Sequence, residues 1–143
     1  MAQRAKRNVS RGSAGNNRKS GEDFLEKNKN KTGVNCLESG LQYTIIEDGN
    51  GSMPDESATV VVHQRCWLVN GAVIEDTYRE NKPSEVKISE LIDGYKEGVL
   101  LMKKGARFKF FIPPDLGWGK KGTGSKIPPN SVLIFDVRLI DFW

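Results

Sequence analysis

Alternation of apolar and polar residues marks three segments of the chain, 58–69, 107–112 and 132–142. Successive side chains of a β-strand point to opposite faces, so this alternation predicts three strands that each bury one face. The residues predicted to share one face of the first strand are Val60, Val62, Gln64, Cys66 and Leu68. The pattern therefore indicates a sheet with a core along one side.

Two shorter runs, 40–46 and 85–88, predict further strands, and Asn70-Gly71 predicts a hairpin turn after the first long strand. Together these segments make five or six strands with hairpin-like connections. Only one helix is predicted between the strands. The fold class indicated is α+β, with a mainly antiparallel sheet packed over a short helix.

Two segments have the pattern of a helix. Residues 21–32 place acidic residues first and lysines later, which suits a short helix because acidic groups are favoured at a helix N-terminus. Residues 89–102 predict the internal helix, with Ser89 as the candidate N-cap. Gly94 and Gly98 weaken that helix, so a turn followed by a shorter helix is the alternative.

The length of 143 residues, with 37% hydrophobic and 28% charged residues, is typical of one soluble globular domain with room for a tail. No apolar run approaches the roughly 18 residues that would span a bilayer. The N-terminal residues lack the apolar segment of a secretory signal. We therefore expect a cytoplasmic protein without membrane contact.

The net charge of +4 is unevenly distributed. Residues 1–20 hold six of the 22 basic residues and none of the 18 acidic ones, so residues 21–143 carry a net charge of −2. Because Val9 is its one large aliphatic residue, the first segment is predicted to be a disordered basic tail. A solvated extension is its favoured role, and contact with nucleic acid or a ribosome is the alternative. The remainder divides into a short helix and linker, 21–37, and a folded domain, 38–143.

Two cysteines, Cys36 and Cys66, and one histidine, His63, limit the available chemistry. They are too few for a disulfide scaffold or for a zinc site built from cysteine and histidine alone. Unpaired thiols in a reducing compartment are favoured, and a disulfide between the two is the alternative. We interpret His63 as structural rather than catalytic, because its neighbours in the strand point to the opposite face.

Ten short segments follow one another along the chain in an order typical of one family. They are 38–43, 61–63, 67–71, 81–83, 91–95, 97–99, 101–102, 112–113, 127–130 and 133–137. In this order they resemble the FKBP-type peptidyl-prolyl cis-trans isomerases, within the bacterial branch that includes the macrophage infectivity potentiators. The resemblance covers residues 22–143. It implies an antiparallel sheet half-wrapped around a short helix, with an apolar pocket for a proline side chain between them and no metal or cofactor.

The resemblance also implies a site at named positions. Tyr95 is expected at the pocket floor, where the family usually has tryptophan. Glu75 is expected near the substrate carbonyl, and the backbone N–H of Ile92 is expected to bind a carbonyl of the peptide. The residues assigned to catalysis are Glu75, Tyr95, Trp118 and Phe135, and those assigned to substrate binding are Gln64, Ile74, Val86, Leu91, Ile92 and Ile127.

The sequence departs from the family pattern in this pocket. Rotation about an X–Pro amide crosses a barrier of about 18–20 kcal/mol without breaking a bond, so the site needs only to bind the twisted amide better than the planar forms. Aromatic residues of the family are replaced at Gln64, Ile74 and Val86, which reduces the rigid area that grips proline. Gln64 also places an amide on an apolar wall, which costs free energy unless the amide finds partners. We expect weakened or redirected activity and low sensitivity to macrolides such as rapamycin.

Two classes of function follow. The resemblance favours an isomerase that assists protein folding and acts on proline-containing polypeptides as a monomer. The altered pocket favours a non-catalytic proline-peptide or chaperone-like binding module, with the basic tail contacting nucleic acid or a ribosome. Glu75 is either a functional carboxylate or a loop charge beside Asp76. Trp118, flanked by glycines, is interpreted as part of a binding surface rather than as a core residue.

Overall fold

One antiparallel sheet of seven strands forms the framework of the computed structural model, which describes residues 15, 17–123 and 126–143. The strands are β1 (Asn35–Cys36), β2 (Gln42–Glu47), β3 (Thr59–Leu68), β4 (Val73–Asp76), β5 (Ser84–Lys87), β6 (Arg107–Ile112) and β7 (Leu133–Phe142). Their spatial order is β1-β2-β6-β7-β3-β4, and β5 also pairs with β3. The predicted α+β class is confirmed, and the two-residue β1 adds one strand to the predicted five or six.

The two faces of β3 are those that the alternation predicts. Val60, Val62, Cys66 and Leu68 are buried, and Gln64 on the same face is partly buried. Strands β6 and β7 turn their apolar residues to the same core, and these are Phe108, Phe110, Ile112, Leu133, Phe135, Val137 and Leu139. The core therefore lies along one side of the sheet, between the three long strands and the internal helix that contains Tyr95 and Val99.

The helices differ from the prediction in their bounds. The structure contains α1 (residues 17–28), α2 (Thr77–Glu80) and α3 (Asp93–Val99), with short 3₁₀ turns at Ile88–Glu90 and Pro114–Leu116. None of the helices among the described residues has the length and apolar character needed to cross a bilayer.

The internal helix is shorter than the predicted 89–102. Ser89 lies in a 3₁₀ turn rather than at the N-cap, and Ile92 precedes the first turn of α3 without a capping side chain. The alternative of a turn followed by a shorter helix is therefore correct. The sequence pattern does not indicate α2, which follows β4 directly and is capped by the Asp76 carboxylate, an acceptor for the Arg79 backbone N–H at 3.1 Å.

Tertiary hydrogen bonds shift α1 from its predicted position at 21–32. The Asn17 side chain donates to the Pro129 carbonyl at 2.8 Å, which ties the start of the helix to the loop before β7. Near the other end, buried Asn28 donates to Gln42 of β2 at 2.8 Å, and Gln42 donates to the Leu25 carbonyl at 3.0 Å. These partners are distant along the chain, so the local pattern does not reveal them.

The start of α1 overlaps the predicted tail. Residues 17–20 are helical, although the predicted division assigned them to the disordered segment 1–20. Residues 1–14 and 16 lie outside the described part of the chain. Disorder of the tail, and its contact with nucleic acid or a ribosome, stay predictions.

Two glycines let α3 lie close to the sheet. A Cβ added at Gly98 would lie 2.5 Å from Cε1 of Phe110, and one added at Gly94 would lie 2.6 Å from Cγ2 of Ile112. Their low helix propensity is thus offset by the close packing that they permit. That packing buries Tyr95 and Val99 of α3.

We expect Gly98→Ala to destabilise the protein by about 1–3 kcal/mol, because the added methyl group overlaps a core ring that cannot move freely. Chemical denaturation measures the free energy of unfolding. Gly15→Ala is the control, since a methyl group there meets nothing within 4 Å. Equal stability of the two variants would contradict the close packing.

Candidate active site

A cavity of about 240 Å³ opens between β3, β4, β7 and the loop that precedes β7. Its lining residues are Gln64, Cys66, Ile74, Glu75, Trp118, Thr123, Lys126, Ile127 and Phe135. Six of the ten predicted site residues are among them: Gln64, Ile74, Glu75, Trp118, Ile127 and Phe135. The structure brings these six together, while their roles in catalysis and binding stay predictions.

Tyr95 lies beneath this cavity. Its ring is 2% exposed and packs edge-on against Phe135, with the ring centroids 5.0 Å apart. On its other side the ring meets Phe110 at 5.7 Å. The Tyr95 hydroxyl donates to Oε1 of Gln64 at 2.6 Å. Burial, with the nearby Glu75 charge, holds the pKa of the Tyr95 phenol well above its ordinary value, so the hydroxyl stays protonated.

The Gln64 amide is paired on both sides. Its Oε1 accepts from Tyr95, and its Nε2 donates to the Glu75 carboxylate. The cost of placing an amide on an apolar wall is therefore offset by two hydrogen bonds, one of them to a charged group. Glu75 belongs to β4, and the register of β4 on β3 sets Glu75 directly opposite Cys66.

The backbone of Gln64 is held by the first residue of α2. Thr77 is 4% exposed, and its Oγ1 accepts from the Gln64 backbone N–H at 2.7 Å. The same hydroxyl lies 2.9 Å from Nδ1 of His63, whose ring stacks on Tyr78 with the centroids 5.0 Å apart. His63 thus packs on the sheet face opposite the cavity, and its structural role stays a prediction.

Three predicted site residues do not line this cavity. Val86, Leu91 and Ile92 are partly buried against the core instead. Ile92 still meets one requirement of its expected role, because its backbone N–H has no hydrogen-bond acceptor among the described residues. For Val86 and Leu91 the substrate-binding role stays a prediction.

Two lining residues, Thr123 and Lys126, were not among the predicted site residues. Both belong to the Gly-rich loop between Trp118 and Ile127, and Thr123 is tied back by the pair of backbone hydrogen bonds that it makes with Ile127 at 2.9 and 3.2 Å. Their position between two predicted wall residues is the signal that indicates them. Trp118 itself is 47% exposed at the cavity rim, so it is not a core residue, and its part in a binding surface stays a prediction.

Cys66 is a buried, free thiol in the cavity wall, and Cys36 is an exposed, free thiol on β1. The disulfide alternative is therefore wrong. Burial, followed by the Glu75 charge, raises the pKa of the Cys66 thiol to about 12, so it stays protonated and unreactive near neutral pH. Within the described ranges, no three His, Cys, Asp or Glu side chains are grouped so that they could hold a metal ion.

Two family profiles match the chain. The profile of the FKBP-type peptidyl-prolyl cis-trans isomerase matches residues 51–140, and that of the domain amino terminal to FKBP-type peptidyl-prolyl isomerase matches residues 1–45. Among curated proteins, the outer membrane protein MIP of Legionella longbeachae is 40% identical over 124 residues, which are 87% of this chain and 53% of that protein. FkpA of Aeromonas hydrophila, an FKBP-type peptidyl-prolyl cis-trans isomerase, is 41% identical over 124 residues, 87% of this chain and 46% of its own. The chain thus spans about half the length of these relatives.

Solved structures agree with these matches. The crystal structure of FkpA from Escherichia coli has a TM-score of 0.88 and 35% identity, covering 99% of this chain and 67% of that one. The peptidyl-prolyl cis-trans isomerase of Pseudomonas syringae pv. tomato has a TM-score of 0.83 and 27% identity, covering 90% of this chain and 95% of that one.

The Cys66 pKa predicts an alkaline loss of stability. Below the ordinary cysteine value of 9.0 the thiol is protonated in both states; as pH rises above it, the unfolded chain loses this proton while the folded protein keeps it up to about 12. Unfolding therefore becomes more favourable with increasing pH. We expect the free energy of unfolding to fall less steeply between about pH 9 and 11 in Cys66→Ala than in the wild type, as measured by urea titration. Cys36→Ala is the matched control and should follow the wild type; parallel slopes for all three proteins would contradict the prediction.

Proposed function

The chain belongs to the family of FKBP-type peptidyl-prolyl cis-trans isomerases, and from this we propose that it catalyses cis-trans isomerisation of X–Pro bonds in polypeptides. The observation that carries the proposal is the apolar cavity of about 240 Å³, with the exposed ring of Trp118 at its rim and the buried ring of Tyr95 below it. Proline-containing segments of folding proteins are the proposed substrates. A monomer is the proposed oligomeric state.

The reaction requires little covalent chemistry from the residues that line this cavity. Rotation about the X–Pro bond breaks amide resonance at a cost of about 18–20 kcal/mol, and no bond to a nucleophile forms. Water favours the polar planar amide, so apolar walls such as Ile74, Ile127 and Phe135 lower the relative free energy of the twisted form. The backbone N–H of Ile92 has no acceptor among the described residues, and its proposed role is to hold a substrate carbonyl while the amide rotates.

We further propose that activity is lower than in relatives that have aromatic residues at these positions. Ile74 replaces a wall ring and Gln64 a phenol, so less rigid area contacts the proline. Burial of Tyr95 under Phe135 supports a role as the floor of the cavity rather than as a flexible wall. The remaining apolar walls favour retention of proline binding.

Trp118→Ala is expected to lower kcat/KM by about tenfold, because an exposed aromatic ring at the rim of a binding site loses its contact with the substrate. The assay follows isomerisation of peptides that differ in the residue before proline. Trp143→Ala is the matched control, since Trp143 is 63% exposed and lies at the end of the last strand, outside the cavity lining.

Equal activity of the two tryptophan variants would contradict the assignment of Trp118 to the substrate site. Absence of catalysis by the wild type on every peptide would overturn the isomerase proposal. Binding of the same peptides without turnover would then identify the chain as a proline-peptide binding module.

The cytoplasm is the proposed compartment, supported by the two free thiols, one of them exposed. The Legionella longbeachae relative, by contrast, is named an outer membrane protein. Fractionation of the native host tests the proposal with an antibody to this chain. We expect the protein with the cytoplasmic marker, and recovery with the envelope would contradict it.

A further inference from the structure

Three polar side chains form a line from the core to the cavity. Tyr95 on α3 is buried, Gln64 on β3 is partly buried, and Glu75 on β4 is exposed. Tyr95 donates to Gln64 at 2.6 Å, and Gln64 donates to Glu75. The line thus joins three separate elements of the fold and ends in a carboxylate that lines the cavity.

The chemistry of the three groups fixes the direction of both hydrogen bonds. A carboxylate only accepts, so the amide nitrogen of Gln64 must face Glu75. The amide oxygen then faces Tyr95, whose hydroxyl must donate. A flipped amide would place oxygen against oxygen at Glu75, so the Gln64 side chain has one favourable orientation. The orientation of this amide is therefore determined by its surroundings.

The carboxylate that follows Glu75 in the chain, Asp76, makes different contacts. Asp76 lies 3.6 Å from the Arg65 guanidinium and caps α2 through the Arg79 backbone N–H. Glu75 forms no ion pair with any described residue, and its one hydrogen-bond donor there is Gln64. Gln64 is thus the described residue that holds the Glu75 side chain, and this contact distinguishes a functional carboxylate from a loop charge.

We propose that Gln64 is a positioning residue, which holds the Glu75 carboxylate at the cavity wall by linking it to the buried Tyr95 hydroxyl. This inference rests on the proposed isomerase function. An exposed glutamate samples several rotamers, and each bound substrate would have to order it again. A carboxylate already fixed by Gln64 presents its charge to the substrate amide without that cost, as electrostatic preorganisation requires.

The inference predicts non-additive effects in a double-mutant cycle. Gln64→Leu keeps the size of the side chain and removes both hydrogen bonds, and we expect kcat/KM to fall by about threefold to tenfold. Glu75→Ala removes the group that is positioned. In the Glu75→Ala background, Gln64→Leu should have no further effect, because there is no carboxylate left to hold.

Two tyrosine variants separate positioning from general stability. Tyr95→Phe keeps the buried ring and removes its hydroxyl. Like Gln64→Leu, it should lower kcat/KM. Tyr78→Phe is the matched control: the Tyr78 hydroxyl donates to Asp136 at 3.2 Å on the other side of the sheet, so activity should stay at the wild-type value. Multiplicative effects of Gln64→Leu and Glu75→Ala would overturn the inference.

A second readout is independent of turnover. The side-chain amide signal of Gln64 in a ¹⁵N NMR spectrum, assigned by its loss in Gln64→Leu, should shift in both Tyr95→Phe and Glu75→Ala and stay in place in Tyr78→Phe. An unshifted signal in the first two variants would overturn the positioning role even in an active enzyme. An inactive wild type with the shifts present would reject the isomerase function while retaining the hydrogen-bonded line.

Discussion

The close approach of α3 to the sheet is the constraint on which the rest of the structure depends. Gly94 and Gly98 leave no side chain between the helix and the residues Ile112 and Phe110 of β6. A helix at this distance places the Tyr95 ring against Phe110 and against Phe135, which lines the cavity. The buried ring has a hydroxyl that must be paired, and the cavity wall supplies the partner.

That pairing links packing to electrostatics. A residue without a side-chain acceptor at position 64 would leave the Tyr95 hydroxyl unpaired, at a cost of about 1–3 kcal/mol. Gln64 provides the acceptor, and its amide N–H groups then need an acceptor of their own, which Glu75 provides. The hydrogen bond that pairs the buried Tyr95 hydroxyl thus leads to a second one, and together they link three elements up to the surface of the cavity.

Polar contacts on the opposite face of the sheet join β6, β7 and α2. Arg107 of β6 forms a two-point ion pair with Asp136 of β7, with N–O distances of 2.9 and 2.7 Å, and the Tyr78 hydroxyl donates to the same carboxylate. Tyr78 follows Thr77, whose hydroxyl accepts from the Gln64 backbone. Thr77 therefore holds the β3 backbone at the cavity wall, while Trp118 and Lys126 line the cavity from a loop outside the sheet.

The sequence by itself determined the longer strands and their buried faces. Alternation places Val60, Val62, Cys66 and Leu68 on one side of β3 whatever surrounds the strand, because it follows from backbone geometry. Resemblance to known family members indicated most of the cavity walls. The helix bounds followed tertiary contacts instead: α1 is held by Asn17 and Asn28 through partners that no local pattern reveals.

Only the tertiary structure decided how Gln64 would be accommodated. The sequence predicts a free-energy cost for its amide on an apolar wall. The partners that offset this cost are not evident from the sequence, because they lie 31 residues away on α3 and 11 residues away on β4. Strand register and helix position bring Tyr95 and Glu75 to the two ends of that amide. Local sequence carries no information about such distances, since they arise from the packing of elements that are separate along the chain.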